Sequence, residues 1–142
     1  MAAQVFEHQH RVTYAECTVG NHVYYANHLA IMEEARGEFF RALGKTLLGL
    51  QDEDTIFPVL ECTIKYHRPA RYDDVLTVLI SIAELKGVRV TFAYAVTNQD
   101  GERIIEAETR HACTTVGEKP RRLPDGLADR LKAFVPEQIM PV

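Results

Sequence analysis

The stretch from about Ala26 to Leu43 most constrains what this chain can become. Leu29, Met32, Arg36, Phe39, Phe40 and Leu43 recur at helical spacing, and Ala30, Ile31 and Ala35 widen the same face. Gly44 comes next as a plausible stop. A helix with so wide an apolar face must pack against more than one neighbour. The segments beyond Gly44 have the other period. Leu60, Cys62, Ile64 and Tyr66 alternate within Phe57 to His67, and Leu76, Val78, Ile80 and Ile82 alternate within Val75 to Leu85. Val88, Val90, Phe92, Tyr94 and Val96 form a third set, and Ile105, Ala107 and Cys113 lie on one side of Arg103 to about Thr115. An earlier alternation runs from Phe6 to Tyr14, with Val12 and Tyr14 on one side.

Lys86-Gly87 and Asn98-Gln-Asp-Gly101 are short turn signals, and short turns make neighbouring strands antiparallel. The expected order is strand, long helix, strand meander: an α+β domain of one helix against one antiparallel sheet. Pro120 to Pro124 reads as a basic linker and Asp125 to Phe134 as a terminal helix. A lone sheet leaves its edges and other face open, which favours oligomers.

With 142 residues the chain is one domain of ordinary composition, 46% hydrophobic and 25% charged. Its net charge of −4 offers no basic stripe for nucleic acid. No apolar run is long enough to span a membrane, and the polar start does not read as a signal peptide. Cys17, Cys62 and Cys113 are odd in number and widely spaced. They make neither a metal knuckle nor a disulfide framework, so a reducing cytoplasm is expected.

One region resembles a known family. Tyr14, Glu16, His22-Val23-Tyr24, Asn27, Leu29 and Glu33-Glu34-Ala35-Arg36 match the opening of the hot-dog thioesterases. The 4-hydroxybenzoyl-CoA thioesterase type and the thioesterases associated with the Tol–Pal system are nearest in pattern. Arg68-Pro-Ala-Arg-Tyr-Asp-Asp74 and Lys119-Pro-Arg-Arg-Leu-Pro124 extend the likeness, which covers roughly residues 5 to 124. The resemblance implies a five-stranded antiparallel sheet wrapped around one long helix. It also implies a homodimer or homotetramer with active sites at the subunit interface. Its substrate would be a thioester of coenzyme A or of acyl carrier protein, and no cofactor is expected.

The family's catalytic Asp falls on Thr18. Thioester hydrolysis needs a base or nucleophile and donors for the developing oxyanion. A Thr hydroxyl orients water but does not replace a carboxylate. The enediyne polyketide thioesterases, which this sequence also resembles, work with neutral polar groups and a helix Arg; here those would be Thr18, Tyr24, Tyr25 and Arg36. The alternative is a hot-dog protein that binds acyl groups or coenzyme A with little turnover. A hydratase on the same fold ranks behind both, because its usual loop His or Asp/His set is not matched.

Each candidate has a plain structural reading beside its functional one. Thr18 is a turn residue or a catalytic-loop hydroxyl. Glu16 is a structural acid or a substitute carboxylate. The backbone N–H of Tyr25, at the helix entry, suits a thioester carbonyl. Asn27 is a natural N-cap or a substrate contact. His22 is a loop His or a donor, and Cys17 a small residue or a nucleophile. His28, His67 and His111 are scattered without metal spacing. Glu33 and Arg36 are three apart and can pair, while Glu33 or Glu34 could be a helix-borne base. Arg68, Arg71, Lys86, Arg89, Arg121 and Arg122 are solvated charges or anchors for coenzyme A phosphates. The Lys86-Gly-Val-Arg89 turn resembles the family's phosphate-contact region.

Overall fold

The computed structural model describes residues 3–136. The chain runs through β1 (Phe6–Arg11), a 3-10 turn (Tyr14–Glu16), a small hairpin of β2 (Cys17–Thr18) and β3 (His22–Val23), and α1 (Asn27–Ala42). It continues through α2 (Leu47–Asp52), β4 (Val59–Tyr66), β5 (Val75–Lys86), β6 (Arg89–Thr97), β7 (Arg103–Ala112) and α3 (Asp125–Lys132). Five strands form one antiparallel sheet in the order β1-β5-β6-β7-β4, with the helix α1 against it. This is the expected α+β hot-dog architecture.

The alternation in β5 and β6 becomes the floor of the core. Leu76, Val78, Ile80, Ile82, Val90, Phe92, Tyr94 and Val96 are all buried on the face that meets α1. The helix answers with Ile31, Met32, Ala35, Phe39 and Phe40. Phe39 stacks on Phe6 at 5.2 Å and meets Phe92 and Phe134 edge-on; Phe40 packs on Phe57 and Phe92. Truncating either ring would leave a cavity costing about 3–5 kcal/mol. Gly44 ends the helix as expected, at φ +88°, a conformation that disfavours any side chain. The Arg130 guanidinium from α3 donates to the Leu43 carbonyl beside it.

Several local expectations need correction. The first strand stops at Arg11, and Tyr14 is exposed in the 3-10 turn, because Glu16 accepts from the Thr13 amide at 2.7 Å and bends the chain there. Asn27 is not the N-cap: that position is Ala26, and the Asn27 side chain instead donates to the Glu16 carbonyl at 2.9 Å. Leu29 and Ala30 are exposed, and the buried residue of that turn is His28, its ring edge-on to Tyr66. In β4 the apolar residues Leu60 and Tyr66 are exposed although they alternate as core residues do. Beyond the sheet's interior strands, α1 lies against β1 and β5 and leaves β7 and β4 less covered. The short helix α2 and the β2–β3 hairpin carried no sequence signal strong enough to anticipate.

Candidate active site

Where α1 leaves β7 and β4 less covered, a cavity of about 260 Å³ opens between α1 and β4. Leu29, Met32 and Val59 give it apolar walls; Glu33, Arg36, Cys62, Tyr94 and Thr109 supply polar groups. Strand register explains the polar floor. Phe92, Thr109 and Cys62 are direct partners across β6, β7 and β4, so all three face α1. Val90, His111 and Val59 form the next such row.

Arg36 reaches down from α1 onto this floor. Its Nη1 lies 3.1 Å from His111 Nε2, and its guanidinium stands over the Phe92 ring at 5.9 Å. Glu33 is a loose partner, with Oε1 3.9 Å from Arg36 Nη2. The Thr109 hydroxyl is 2.9 Å from both His111 Nε2 and the Tyr94 hydroxyl. Burial lowers the His111 pKa to about 4; the Phe57 carbonyl opposes that shift and Arg36 reinforces it. The Tyr94 phenol is raised, chiefly by burial. This is a cationic floor without a carboxylate in contact at hydrogen-bond distance.

Arg36 and Glu33 stood out in the sequence, whereas Tyr94, Thr109 and His111 were given no role there. A signal was present. Positions 105, 107, 109 and 111 share one face of β7, and two of them, Thr109 and His111, interrupt an apolar row.

The loop candidates lie elsewhere. Thr18 and His22 are exposed and face each other across the β2–β3 hairpin, and neither lines the cavity. Gly20 and Asn21, both at positive φ, turn the chain between them. The hairpin is moored by Val23 N–H on the Ala70 carbonyl and by Tyr24 N–H on the Glu16 carbonyl. Tyr24 and Tyr25 are exposed at the helix entry, their rings 4.8 Å apart, and the Tyr66 hydroxyl donates to the Tyr25 carbonyl at 3.0 Å. Among the described residues, no acceptor for the Tyr25 amide is found.

Two carboxylates are already engaged. Glu16 accepts from the Thr13 amide and hydroxyl and faces His10. Glu34 accepts from His8 and His10 and lies on the β1 side of α1, away from the cavity. Cys17 has its thiol pKa raised, by burial first and then by Glu16 and Asp74, which disfavours the nucleophilic thiolate.

The basic groups divide in the same way. Arg68 pairs with Glu102 at 3.0 Å, Arg71 donates to the Gly20 carbonyl, and Arg121 donates to the Glu53 and Asp54 carbonyls. Lys86 and Arg89 are exposed at the β5–β6 turn, flanking Gly87 at φ +61°. No cluster of His, Cys, Asp and Glu suited to a metal ion occurs among the described residues. No helix among them is long and apolar enough to cross a membrane.

Comparison with known proteins adds four findings. The Thioesterase superfamily (4HBT) matches residues 20–105. The chain is 31% identical over 133 residues to the acyl-CoA thioester hydrolase YbgC of Escherichia coli O157:H7, covering 93% of this chain and 99% of that protein. It is 30% identical over 134 residues to the 1,4-dihydroxy-2-naphthoyl-CoA hydrolase of Thermosynechococcus vestitus, covering 93% and 91%. Among solved structures, a probable thioesterase from Bartonella henselae superposes with a TM-score of 0.80 at 29% identity, covering 85% of this chain and 100% of that one.

Proposed function

This chain belongs to the 4HBT thioesterase superfamily, and from that premise we infer that it is an acyl-CoA thioesterase. The reaction is addition of water to the thioester carbonyl carbon, cleavage of the C–S bond, and release of a free acid and a thiol that takes up the proton. The observation that carries this reading to the residues is the cavity between α1 and β4. It has apolar walls for an acyl chain and Arg36, Tyr94 and Thr109 on its floor. It lies beside a helix entry whose Tyr25 amide is available to a carbonyl oxygen.

Within this reading the site residues take distinct parts. Arg36 faces the acyl group or its developing negative charge. Glu33 lines the cavity and is the helix carboxylate we assign to activating water; Glu34 is occupied by His8 and His10. Thr18 and His22 approach from the hairpin of a second copy. Support for a second copy comes from β4, an edge strand with Val59, Leu60 and Tyr66 exposed, beside exposed Leu29, Tyr24 and Tyr25. An open edge with apolar side chains favours pairing with another strand. Two copies joined along β4 would roof the cavity and make a homodimer, with a homotetramer as the larger form. Lys86 and Arg89 suit the phosphates of coenzyme A. The free cysteines fit a cytoplasmic setting.

The test is a panel of acyl-CoA thioesters graded in chain length and aromaticity, assayed by thiol release. Turnover on at least one member is expected. Tight binding of acyl-CoA with no thiol release from any of them would replace this reading with the binding-protein alternative, which the exposed Thr18 in place of a carboxylate favours.

A further inference from the structure

His111 is fully buried on β7, and its two ring nitrogens meet groups of fixed character. Nδ1 lies 3.0 Å from the Phe57 carbonyl oxygen, which only accepts. Nε2 lies 3.1 Å from Arg36 Nη1, which only donates. The pair of contacts specifies one state: a neutral ring with its proton on Nδ1 and a lone pair on Nε2. Thr109 fits the same state. Its hydroxyl, 2.9 Å from Nε2, donates to the same lone pair, which it shares with the Arg36 N–H, and accepts from the Tyr94 hydroxyl at 2.9 Å. Every polar group in the chain Tyr94, Thr109, His111, Phe57 is then satisfied, with protons pointing one way.

A carboxylate in the place of His111 would orient Arg36 equally well but would neutralise it. A neutral acceptor orients the guanidinium and leaves its positive charge undiminished. Phe92 completes the seat. Its ring lies under the guanidinium and stands perpendicular to the imidazole at 5.2 Å between centroids.

We propose that His111 is a positioning residue for thioester hydrolysis: as a neutral acceptor it fixes the Arg36 guanidinium on the cavity floor, charge intact, with its remaining N–H donors free for the bound acyl thioester. The proposal rests on the thioesterase reading above. The groups that face His111 are Arg36 from α1, the Phe57 carbonyl from the segment before β4, Phe92 from β6, and Thr109 from its own strand, with Tyr94 beyond Thr109. Arg36 is the sole ionised one of these. A protonated ring would therefore meet a cation and no anion, and its low pKa of about 4 agrees with that environment.

The experiment is a double-mutant cycle on the full chain, with steady-state kinetics on the best acyl-CoA of the panel. His111→Phe should lower kcat/KM by roughly tenfold or more, the loss expected for one charge-assisted contact to the reacting species. In an Arg36→Met background the same change should cost almost nothing further, because the residue it positions is gone. His111→Gln, which keeps a neutral acceptor, should recover most of the loss. In the wild type, 15N NMR of the imidazole should find a protonated Nδ1 and a bare Nε2 at neutral pH, a measurement that needs no variant to fold.

Equal losses from His111→Phe in both backgrounds would make the residue merely structural and overturn the proposal. So would His111→Gln as poor as His111→Phe, or a proton on Nε2. A wild type that hydrolyses no thioester at all would instead remove the thioesterase reading, and this inference with it.

Discussion

His10 Nε2 stands 2.8 and 2.9 Å from the two carboxylate oxygens of Glu16, in a half-buried contact between β1 and the 3-10 turn. The other ring nitrogen, Nδ1, lies 2.8 Å from Glu34 Oε2. Acceptors on both nitrogens require protons on both, so the ring is an imidazolium between two carboxylates. It ties β1, the 3-10 turn and α1 together, and it explains why neither Glu16 nor Glu34 is free to serve as a base.

This cluster gives stability a pH dependence of defined sign. Burial opposes charge on His10, but hydrogen bonds and charges from Glu16 and Glu34 outweigh it and raise the pKa above the ordinary 6.5. Burial likewise opposes ionised Glu16 and Glu34, and Thr13, His10 and His8 outweigh it and pull both below the ordinary 4.5. The imidazolium's contribution is full below 6.5 and fades as pH rises through the raised folded value. That of the carboxylates is full above 4.5 and fades as pH falls through their lowered values. His10→Gln should therefore cost most between about 4.5 and 6.5, on the order of 1 kcal/mol after screening at the half-exposed Glu34. Chemical denaturation across pH checks it; a cost that grows steadily into alkaline pH would contradict the assignment.

If Thr18 holds the position of the family's Asp, as the resemblance implies, substitutions there test how hydrolysis proceeds without a carboxylate. Thr18→Asp should raise hydrolysis, because a positioned base supplies roughly 100- to 10,000-fold and even a poorly placed one is visible. Thr18→Ala should lower it if the hydroxyl orients water. Thr18 is exposed in its hairpin, so neither change should alter the melting temperature. If neither moves kcat, the chemistry lies with the helix carboxylate Glu33.

Charge reversal at the β5–β6 turn tests the phosphate anchor. Arg89→Glu should weaken coenzyme A binding about tenfold, by about 1–2 kcal/mol, and flatten its salt dependence. Titration calorimetry at two salt concentrations reads both. Unchanged affinity would move the anchor to Arg68, Arg71 or the Arg121-Arg122 pair.

The β4 edge should hold the dimer. Leu60 is exposed on that strand, so Leu60→Lys should leave the protomer folded while placing like charges along the joined edge. Light scattering at micromolar concentration is expected to give a dimer for the wild type and a shift toward monomer for the variant. A wild-type monomer would remove the second copy from the site.

Period alone carried much of the fold in sequence. The even positions of β5 and β6 became the buried floor, the helix ran from Asn27 to Ala42 nearly as read, and Gly44 stopped it. These are local matters: a period of 2 or 3.6 and a positive φ act over a few residues. The candidate site was legible only in part: Arg36 announces itself as a charge on an apolar helix face, and Glu33 three residues earlier as its possible partner.

What the tertiary structure decided was which groups meet. Leu60 and Leu76 alternate in the same fashion, yet the first is exposed and the second buried, because Leu60 falls at a register shift in the edge strand β4 and β5 is interior. Arg36 and His111 are 75 residues apart and meet only because β7 sits between β6 and β4 beneath α1. Glu16 looked like a spare carboxylate until the fold set His10 against it. The sequence by itself determined the elements and the faces they bury, since those arise from local geometry. Strand order and register, fixed by packing over the whole chain, determined the contacts from which an acidity, a proton's position or a usable charge arises.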